Sequence, residues 1–496
     1  MNRLLLGLDI GTSVVKAALI NREGKEIATA SSRTVSLSPV PGWSEVEADI
    51  LWTAACGVIA TVFRTSGVAS ADVAAIGISG AMVGAWIIDE AGNTLRHGIL
   101  WNDGRTQSMI DHMVKDNPRL MSQIFEVSGS VMQQGCTLPL LLWLSLNEPV
   151  MLRNAYAVFG VKDYIRWRLT DTIATDRSEA AVAPGSAVAR GRSQELISLF
   201  HLEELAHLLP PPMDSESLAG AVTQQAARAT GLLVGTPVAI GAGDVVCSVI
   251  GAGGLVEGAG CTVLGSTCLN GVVLSAPILA PLNLGLLFSM PEMLWLRTMV
   301  NVAGTTNIDW LLQTLCPDLA VGPDPYAALA ALAAQASQGA SGVVYVPYLS
   351  EVGIIAPQVA PAARGGFTGL MPRHGRPELV RAVYEGVAFA IRDCFSSIGH
   401  DIDTIRLVGG GARSLFWRQL IADVVGRPVE VPAGQEFGCK GAAILAGTAI
   451  GWFSSVSSAS VEWCQILHRH LPSGGDFYDD AFERYRTYAT ALASVT

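Results

Sequence analysis

Charge is scarce in this 496-residue sequence: Asp, Glu, Lys and Arg make up 15% of it, while half of it is hydrophobic. Disordered chains are polar and highly charged, so this one builds deep cores, and its length exceeds what one core usually serves. Two domains fit that length. No run of Lys or Arg is present and the net charge is −11, which excludes the clustered cations that nucleic-acid phosphates demand. ATP is not excluded, because backbone amides and a metal ion can carry its phosphates.

Cysteine lacks any pairing pattern. The nine cysteines are scattered, and the nearest pair, Cys261 and Cys268, lacks the short spacing of a zinc knuckle or redox pair. Reduced thiols in a cytoplasmic protein are the simplest reading. The apolar run at residues 4–8 stops at Asp9, too short for a signal-peptide core. Residues 258–291 lack charge altogether and are long enough to span a bilayer. Asn270, Pro277, Pro281 and Asn283 interrupt them, so buried strands and turns are expected and no membrane partner. A Walker loop is absent, since no Gly-Lys pair is followed by Ser or Thr. The glycines at 251–254 and 258–260 lack the strand, helix and acidic partner of a dinucleotide fingerprint.

What is present is a repeated unit. Residues 4–10 read as a buried strand, 11–13 as a tight turn, 14–20 as a returning strand, and 21–25 as a turn into a third. Near the middle, 261–264, the turn Gly265-Ser266-Thr267 and 269–274 repeat the pattern. Between them lie an amphipathic stretch at 47–63, a strand-like run at 73–79 and a helical region at 138–146. Towards the end, a strand at 405–408, the turn Gly409-Gly410-Gly411 and a helix at 414–425 make a phosphate-binding geometry. The repetition predicts a duplicated α/β domain with a cleft between copies, divided near residue 245 into 1–245 and 246–496.

Three segments carry chemistry. Asp9-Ile10-Gly11-Thr12-Ser13, followed by Lys16, puts a carboxylate at a strand end and N–H groups in a glycine turn. Such a turn can hold phosphate oxygens while the carboxylate positions hydrated Mg²⁺, and it can equally be an ordinary hairpin turn. Asp244 precedes an apolar, helical run, where a carboxylate commonly caps the helix or, functionally, serves as a general base for a sugar hydroxyl. Trp101-Asn102-Asp103-Gly104-Arg105 sets polar groups beside an aromatic wall, suited to a polyhydroxylated ligand or to a plain turn.

Together these segments resemble the FGGY family of carbohydrate kinases over nearly the whole chain, nearest its xylulokinase branch. Gly365-Gly366-Phe367-Thr368-Gly369-Leu370, followed by Glu378-Leu379-Val380-Arg381-Ala382-Val383-Tyr384-Glu385, resembles the family's second signature, and residues 159–170, with Lys162-Asp163-Tyr164, its first. Residues 409–423 resemble its ADP-binding segment, with Gly441-Ala442-Ala443 as companion. The resemblance implies two actin-like (ribonuclease-H-like) ATPase domains closing on ATP and a small sugar or polyol, with a homodimer among the expected assemblies. It implies Asp9 in a magnesium site, and Thr12, Ser13, Lys16, Gly265, Ser266 and Thr267 on the phosphates. Gly410, Gly411, Ala412 and Ser414 would lie against the nucleotide, with Gly411 close enough that a branched side chain blocks it. Asp244 would be the catalytic base, and Met82, Trp101, Asn102 and Asp103 would face the sugar.

Two departures bear on the substrate. The family's xylulokinases carry Met-His-Gly where this chain has Met82-Val83-Gly84, and often Gly-Glu-Arg where Glu351-Val352-Gly353-Ile354-Ile355 stands here. An intact kinase with an altered acceptor is expected, erythritol or L-xylulose in place of D-xylulose. The competing class is a non-catalytic actin-like ATPase or a sugar-binding regulator, which need not keep Asp244.

Overall fold

The computed structural model describes residues 4–494 except 352, so Val352 of the second departure lies outside the described residues. The chain opens with an antiparallel meander, β1 (Leu4–Ile10), β2 (Val14–Ile20) and β3 (Glu26–Arg33). Helix α1 (Ala48–Ser66) leads to β4 (Val73–Gly80), parallel to β1. After α2 (Val161–Thr170) and α3 (Arg177–Val182) come β5 (Leu218–Ala221) and β6 (Pro237–Ala239). The sheet runs β5-β6-β4-β1-β2-β3, with Ala242–Gly243 pairing on the end of β4. Helix α4 (Asp244–Gly251) then leaves it.

The second half repeats the plan: β7 (Gly260–Leu264), β8 (Cys268–Leu274), β9 (Leu286–Ser289) and β10 (Trp295–Asn301). The long helix α5 (Arg376–Ile398) precedes β11 (Ile405–Val408), α6 (Leu415–Val425), β12 (Val429–Pro432), α7 (Phe437–Ala449) and β13 (Ile466–His470). Its sheet runs β9-β10-β8-β7-β11-β12-β13. Both halves therefore share one strand order, β3-β2-β1-β4-β6-β5 matching β10-β8-β7-β11-β12-β13, with the same parallel step after the meander. The charge-free stretch resolves into β7, β8 and β9. Helix α1, the one described helix long and apolar enough to cross a bilayer, packs Leu51, Ala55, Ile59 and Val62 in the first core.

The first strand shows how sequence becomes site. Both its faces are covered, so it reads as nearly continuous apolar sequence. Leu4, Leu6, Leu8 and Ile10 join the core under α1, while Leu5 joins the core that contains α7. Strand alternation puts Gly7 and Asp9 on the α7 face with Leu5. Helix α7 belongs to the second half, yet it lies at backbone contact with the first sheet. A β-carbon on Gly7 would fall 1.9 Å from the Cys439 carbonyl oxygen, and one on Gly77 in β4 1.8 Å from that of Ala442. Helices α4 and α7 meet as closely, since a β-carbon on Gly441 would fall 1.9 Å from the Cys247 carbonyl oxygen. The Gly441-Ala442-Ala443 segment, read from sequence as a companion of the nucleotide segment, is thus the seam between the halves.

Gly77→Ala is expected to destabilise the protein by about 3 kcal/mol, the upper range for overpacking a filled interior. Gly57, on the exposed face of α1 with nothing within 4 Å, is the internal control. Gly57→Ala should stabilise by about 0.5–1 kcal/mol. Urea denaturation of both variants checks the pair; a Gly77→Ala protein as stable as wild type contradicts the close seam.

Candidate active site at the seam between the halves

Asp9 ends β1 on the face that α7 covers, and a β-carbon on Gly438, in the first turn of α7, would fall 2.7 Å from its Oδ2. Ser79, its neighbour on β4, donates to Asp9 Oδ1 at 2.8 Å. Lys16, its partner on β2, forms an ion pair with Glu436 at 2.8 Å, tying the first sheet to the start of α7. Burial pushes the Asp9 carboxyl up, against the pull of Ser79 and Lys16, and Glu436 adds to the rise. Burial lowers the Lys16 amine, but Glu436 and Asp9 outweigh it and leave the amine more firmly charged. The amine is therefore committed to a carboxylate before any phosphate arrives.

Asp244 is the first residue of α4, and Gly243, not Asp244, occupies the cap position. Its Oδ1 accepts the Val245 N–H at 2.8 Å, and its Oδ2 has no hydrogen bond among the described residues. Burial first, and then the Asp9 charge, push this carboxyl up to about 7. Helix α4 has no side-chain cap hydrogen bond, so the capping alternative does not hold. Two carboxylates thus share one field, an arrangement suited to a hard divalent ion or to a proton acceptor.

The two glycine turns are built alike. In the first, Gly11 N–H bonds to the Val14 carbonyl at 3.1 Å, and Thr34 takes the Thr12 and Ser13 carbonyls through its hydroxyl and amide at 2.7 and 3.0 Å. In the second, Gly265 N–H bonds to the Thr267 carbonyl at 2.9 Å, while Thr305 and Gly304 amides take the Gly265 and Ser266 carbonyls. Ser13, Ser266 and Thr267 are exposed. The carbonyls are tied back in both turns.

Parallel pairing of β7 with β11 brings the second turn beside Gly409-Gly410-Gly411. Here the structure corrects the sequence reading. Gly410 is exposed with open space around its Cα, but a β-carbon on Gly411 would fall 2.5 Å from the Leu264 side chain and 3.1 Å from Trp417. Gly411 and Ala412 face the interior, and the Ala412 carbonyl accepts from Arg418. The Ser414 hydroxyl caps α6 by accepting the Trp417 N–H at 3.3 Å. The open surface of this turn is at Gly410.

Beside Asp244, Met82 packs against its neighbour: a β-carbon on Gly243 would fall 2.1 Å from Met82 Sδ. Gly84 N–H bonds to the Gly135 carbonyl at 2.9 Å, and Gly135 lies against the Trp101 backbone, so Met82, Val83 and Trp101 converge. Trp101 and Asn102 are exposed. Asp103 is not: its side chain is fully buried, accepting from Arg105 Nε at 2.8 Å and from the Ser44 amide at 2.6 Å. Arg105 in turn pairs with Glu45 at 2.5 Å and stacks 3.9 Å from the Trp43 ring centroid. Asp103 therefore holds the loop from inside and does not face a sugar. Sequence reasoning passed over Ser79, Glu436 and Gly438, which surround Asp9 from remote segments. The end of the second signature, residues 380–385, is interior as well: Arg381 pairs with Glu385 at 2.8 Å inside α5.

The chain belongs to the FGGY family of carbohydrate kinases: residues 4–251 match its N-terminal domain and residues 260–450 its C-terminal domain. Its fold is the two-domain actin-like ATPase fold, and its activity is that of an ATP-dependent sugar kinase. It is 31% identical to the erythritol kinase of Brucella abortus (strain 2308) across 99% of this chain and 97% of that protein. It is 32% identical to the xylulose kinase of Escherichia coli (strain K12) across 89% of each. The crystal structure of xylulose kinase from Rhodospirillum rubrum matches with a TM-score of 0.87 and 28% identity, covering 99% of both chains.

Substituting the two adjacent glycines separates ligand contact from packing. Gly410→Val should leave the melting temperature near that of wild type and weaken ATP binding about tenfold or more. Gly411→Val should lower stability by about 1–3 kcal/mol through collision with Leu264 and Trp417. Calorimetric ATP titration alongside thermal denaturation checks both, and a stable Gly411→Val protein with lost ATP binding would reverse the assignment.

Proposed function

We propose that this kinase transfers the γ-phosphoryl group of Mg·ATP in line to a hydroxyl of a small sugar of the pentulose type, with Asp244 accepting the hydroxyl proton. The observation that carries the reading is the Asp244 carboxylate: one oxygen uncommitted, pKa raised to about 7, and its neighbour packed on Met82. A base poised near neutrality suits an alcohol nucleophile, which is unreactive until its proton has somewhere to go.

Asp9 fits a magnesium site. Among the described residues no group of three or more His, Cys, Asp and Glu side chains makes an all-protein cage. That accords with an ion held by one or two carboxylates and completed by water and phosphates. When bound, Mg²⁺ neutralises phosphate charge. The hydroxyl-bearing turns at Thr12-Ser13 and Gly265-Ser266-Thr267 hold phosphate oxygens, and Gly410 borders the nucleotide. Lys16 acts through its pair with Glu436, keeping Asp9 against α7. Met82, Trp101 and Asn102 wall the acceptor. The halves 1–245 and 246–496 close on both substrates and exclude water, so the sugar and not water takes the phosphoryl group. A cytoplasmic enzyme, as a monomer or homodimer, is the setting this reading assumes.

The acceptor differs from that of a standard xylulokinase. The Val83 side chain makes no hydrogen bond and packs between two cores. A sugar hydroxyl left without a partner there costs about 1–3 kcal/mol, roughly ten- to a hundredfold in specificity. D-Xylulose is thus not the best acceptor. Erythritol, the substrate named for the Brucella relative, and L-xylulose are the second reading.

Coupled ADP release with D-xylulose, L-xylulose, D-ribulose, erythritol and glycerol under identical Mg·ATP tests this. Asp244→Asn should reduce kcat about 100- to 10,000-fold with ATP binding kept. Val83→His should move preference towards D-xylulose. Retention of kcat within a few-fold by Asp244→Asn, or D-xylulose already first by about tenfold in the unmodified enzyme, would overturn the base or the acceptor assignment respectively.

A further inference from the structure

The first turn of α3 holds two loops at once. Ser178 Oγ accepts the Gly243 N–H at 3.0 Å, the amide immediately before Asp244. The next residue, Glu179, accepts the Val83 N–H on Oε1 at 2.7 Å, in the middle of Met82-Val83-Gly84. These two loops touch through Met82 and Gly243. The turn itself is anchored from beneath. Asp176 accepts from the Ser178 amide at 2.7 Å and from the Ser178 hydroxyl at 2.5 Å. Lys162 Nζ lies 2.6 Å from both Asp176 and Asp163, and Thr175 donates to Asp163 at 2.6 Å. All of these side chains are buried. Because the Ser178 hydroxyl hydrogen goes to Asp176, its oxygen is left facing Gly243 as an acceptor.

Val83 carries a second, independent mark. It is β-branched and sits at φ 57°, the left-handed region that such residues avoid. Strain of this kind persists only where the surroundings impose it. The Val83 amide is held by Glu179, and the following Gly84 by Gly135. Glu179 Oε2 has no hydrogen-bond partner among the described residues, and the residue borders a cavity of about 40 Å³, room for ordered water. Burial pushes the Glu179 carboxyl up to about 8 against the pull of Lys162, so glutamine is a close neutral mimic of it.

We propose that Ser178 and Glu179 are positioning residues with separate duties: Ser178 fixes the loop that carries the base Asp244, and Glu179 fixes the loop that faces the acceptor. The proposal rests on the kinase reading above. It makes the buried Lys162-Asp163 pair of the first signature the footing for both duties.

The test combines hydrogen exchange on the ligand-free full-length protein with kinetics on D-xylulose and erythritol. Ser178→Ala should speed amide exchange in the peptide covering 241–245 but not in that covering 81–85. It should lower kcat about tenfold with the acceptor KM within about twofold. Glu179→Ala should do the reverse, speeding exchange at 81–85 and raising the acceptor KM about fivefold or more with kcat little changed. Glu179→Gln should match wild type in both readouts, because it keeps an acceptor for Val83. Equal or unchanged exchange at the two segments in both alanine variants, loss of fold in either, or Glu179→Gln behaving like Glu179→Ala would overturn the division of duties. If the unmodified enzyme turns over neither acceptor, the acceptor reading fails by itself, and the exchange pattern still decides this proposal.

Discussion

The site depends on one contact: the backbone of α7, a helix of the second half, pressed on the strands of the first. Gly7 and Gly77 leave room for the carbonyls of Cys439 and Ala442, and Gly441 for that of Cys247 on α4. A side chain at any of these positions would force the helices and sheet apart. Because the contact is backbone on backbone, it has little freedom to slide, and the residues at its end inherit that precision. Gly438 is brought against Asp9, Glu436 against Lys16, and the start of α4 delivers Asp244 into the same field.

Electrostatics at this end of the seam is unbalanced in a useful direction. Burial raises both Asp9 and Asp244, and the nearest cation, Lys16, is shared with Glu436. The protein thus gathers carboxylates where the proposed reaction needs them, one beside a metal ion's positive charge and one to take a proton from an alcohol. Deeper in the first half the opposite holds: Lys162 and Arg166 are matched by Asp163 and Asp176 in a buried network that faces no solvent. Charge of the first kind is available for chemistry, and charge of the second kind fixes geometry.

The strands were legible because physics marks them plainly. Residues 4–10, 14–20 and 405–408 are runs whose two faces are both covered, and the structure begins and ends them at those residues. Asp9 and Asp244 stood out because each carboxylate adjoins glycines at the end of an apolar run. Other residues were hidden or misread for reasons of distance and direction. Asp103 lies in a stretch that looks like a polar turn, and nothing local reveals that Arg105, Glu45 and Ser44 close over it. Gly411 and Gly410 are indistinguishable in sequence, and only the packing of Leu264 and Trp417 decides which one faces inward. Glu436, Ser178 and Glu179 act on residues 420, 65 and 96 positions away, where no short-range pattern can announce them.

The central claim is that the seam places Asp9 and Asp244 in one electrostatic site. Carboxyl ¹³C NMR titration of the ligand-free enzyme measures this directly, with Asp244 assigned by the resonance lost in Asp244→Asn. The account predicts an Asp244 resonance titrating near 7 that moves down in Asp9→Asn, with burial holding it above the ordinary aspartate value. An Asp244 resonance titrating at the ordinary aspartate value of about 3.9, and unmoved by Asp9→Asn, would contradict it.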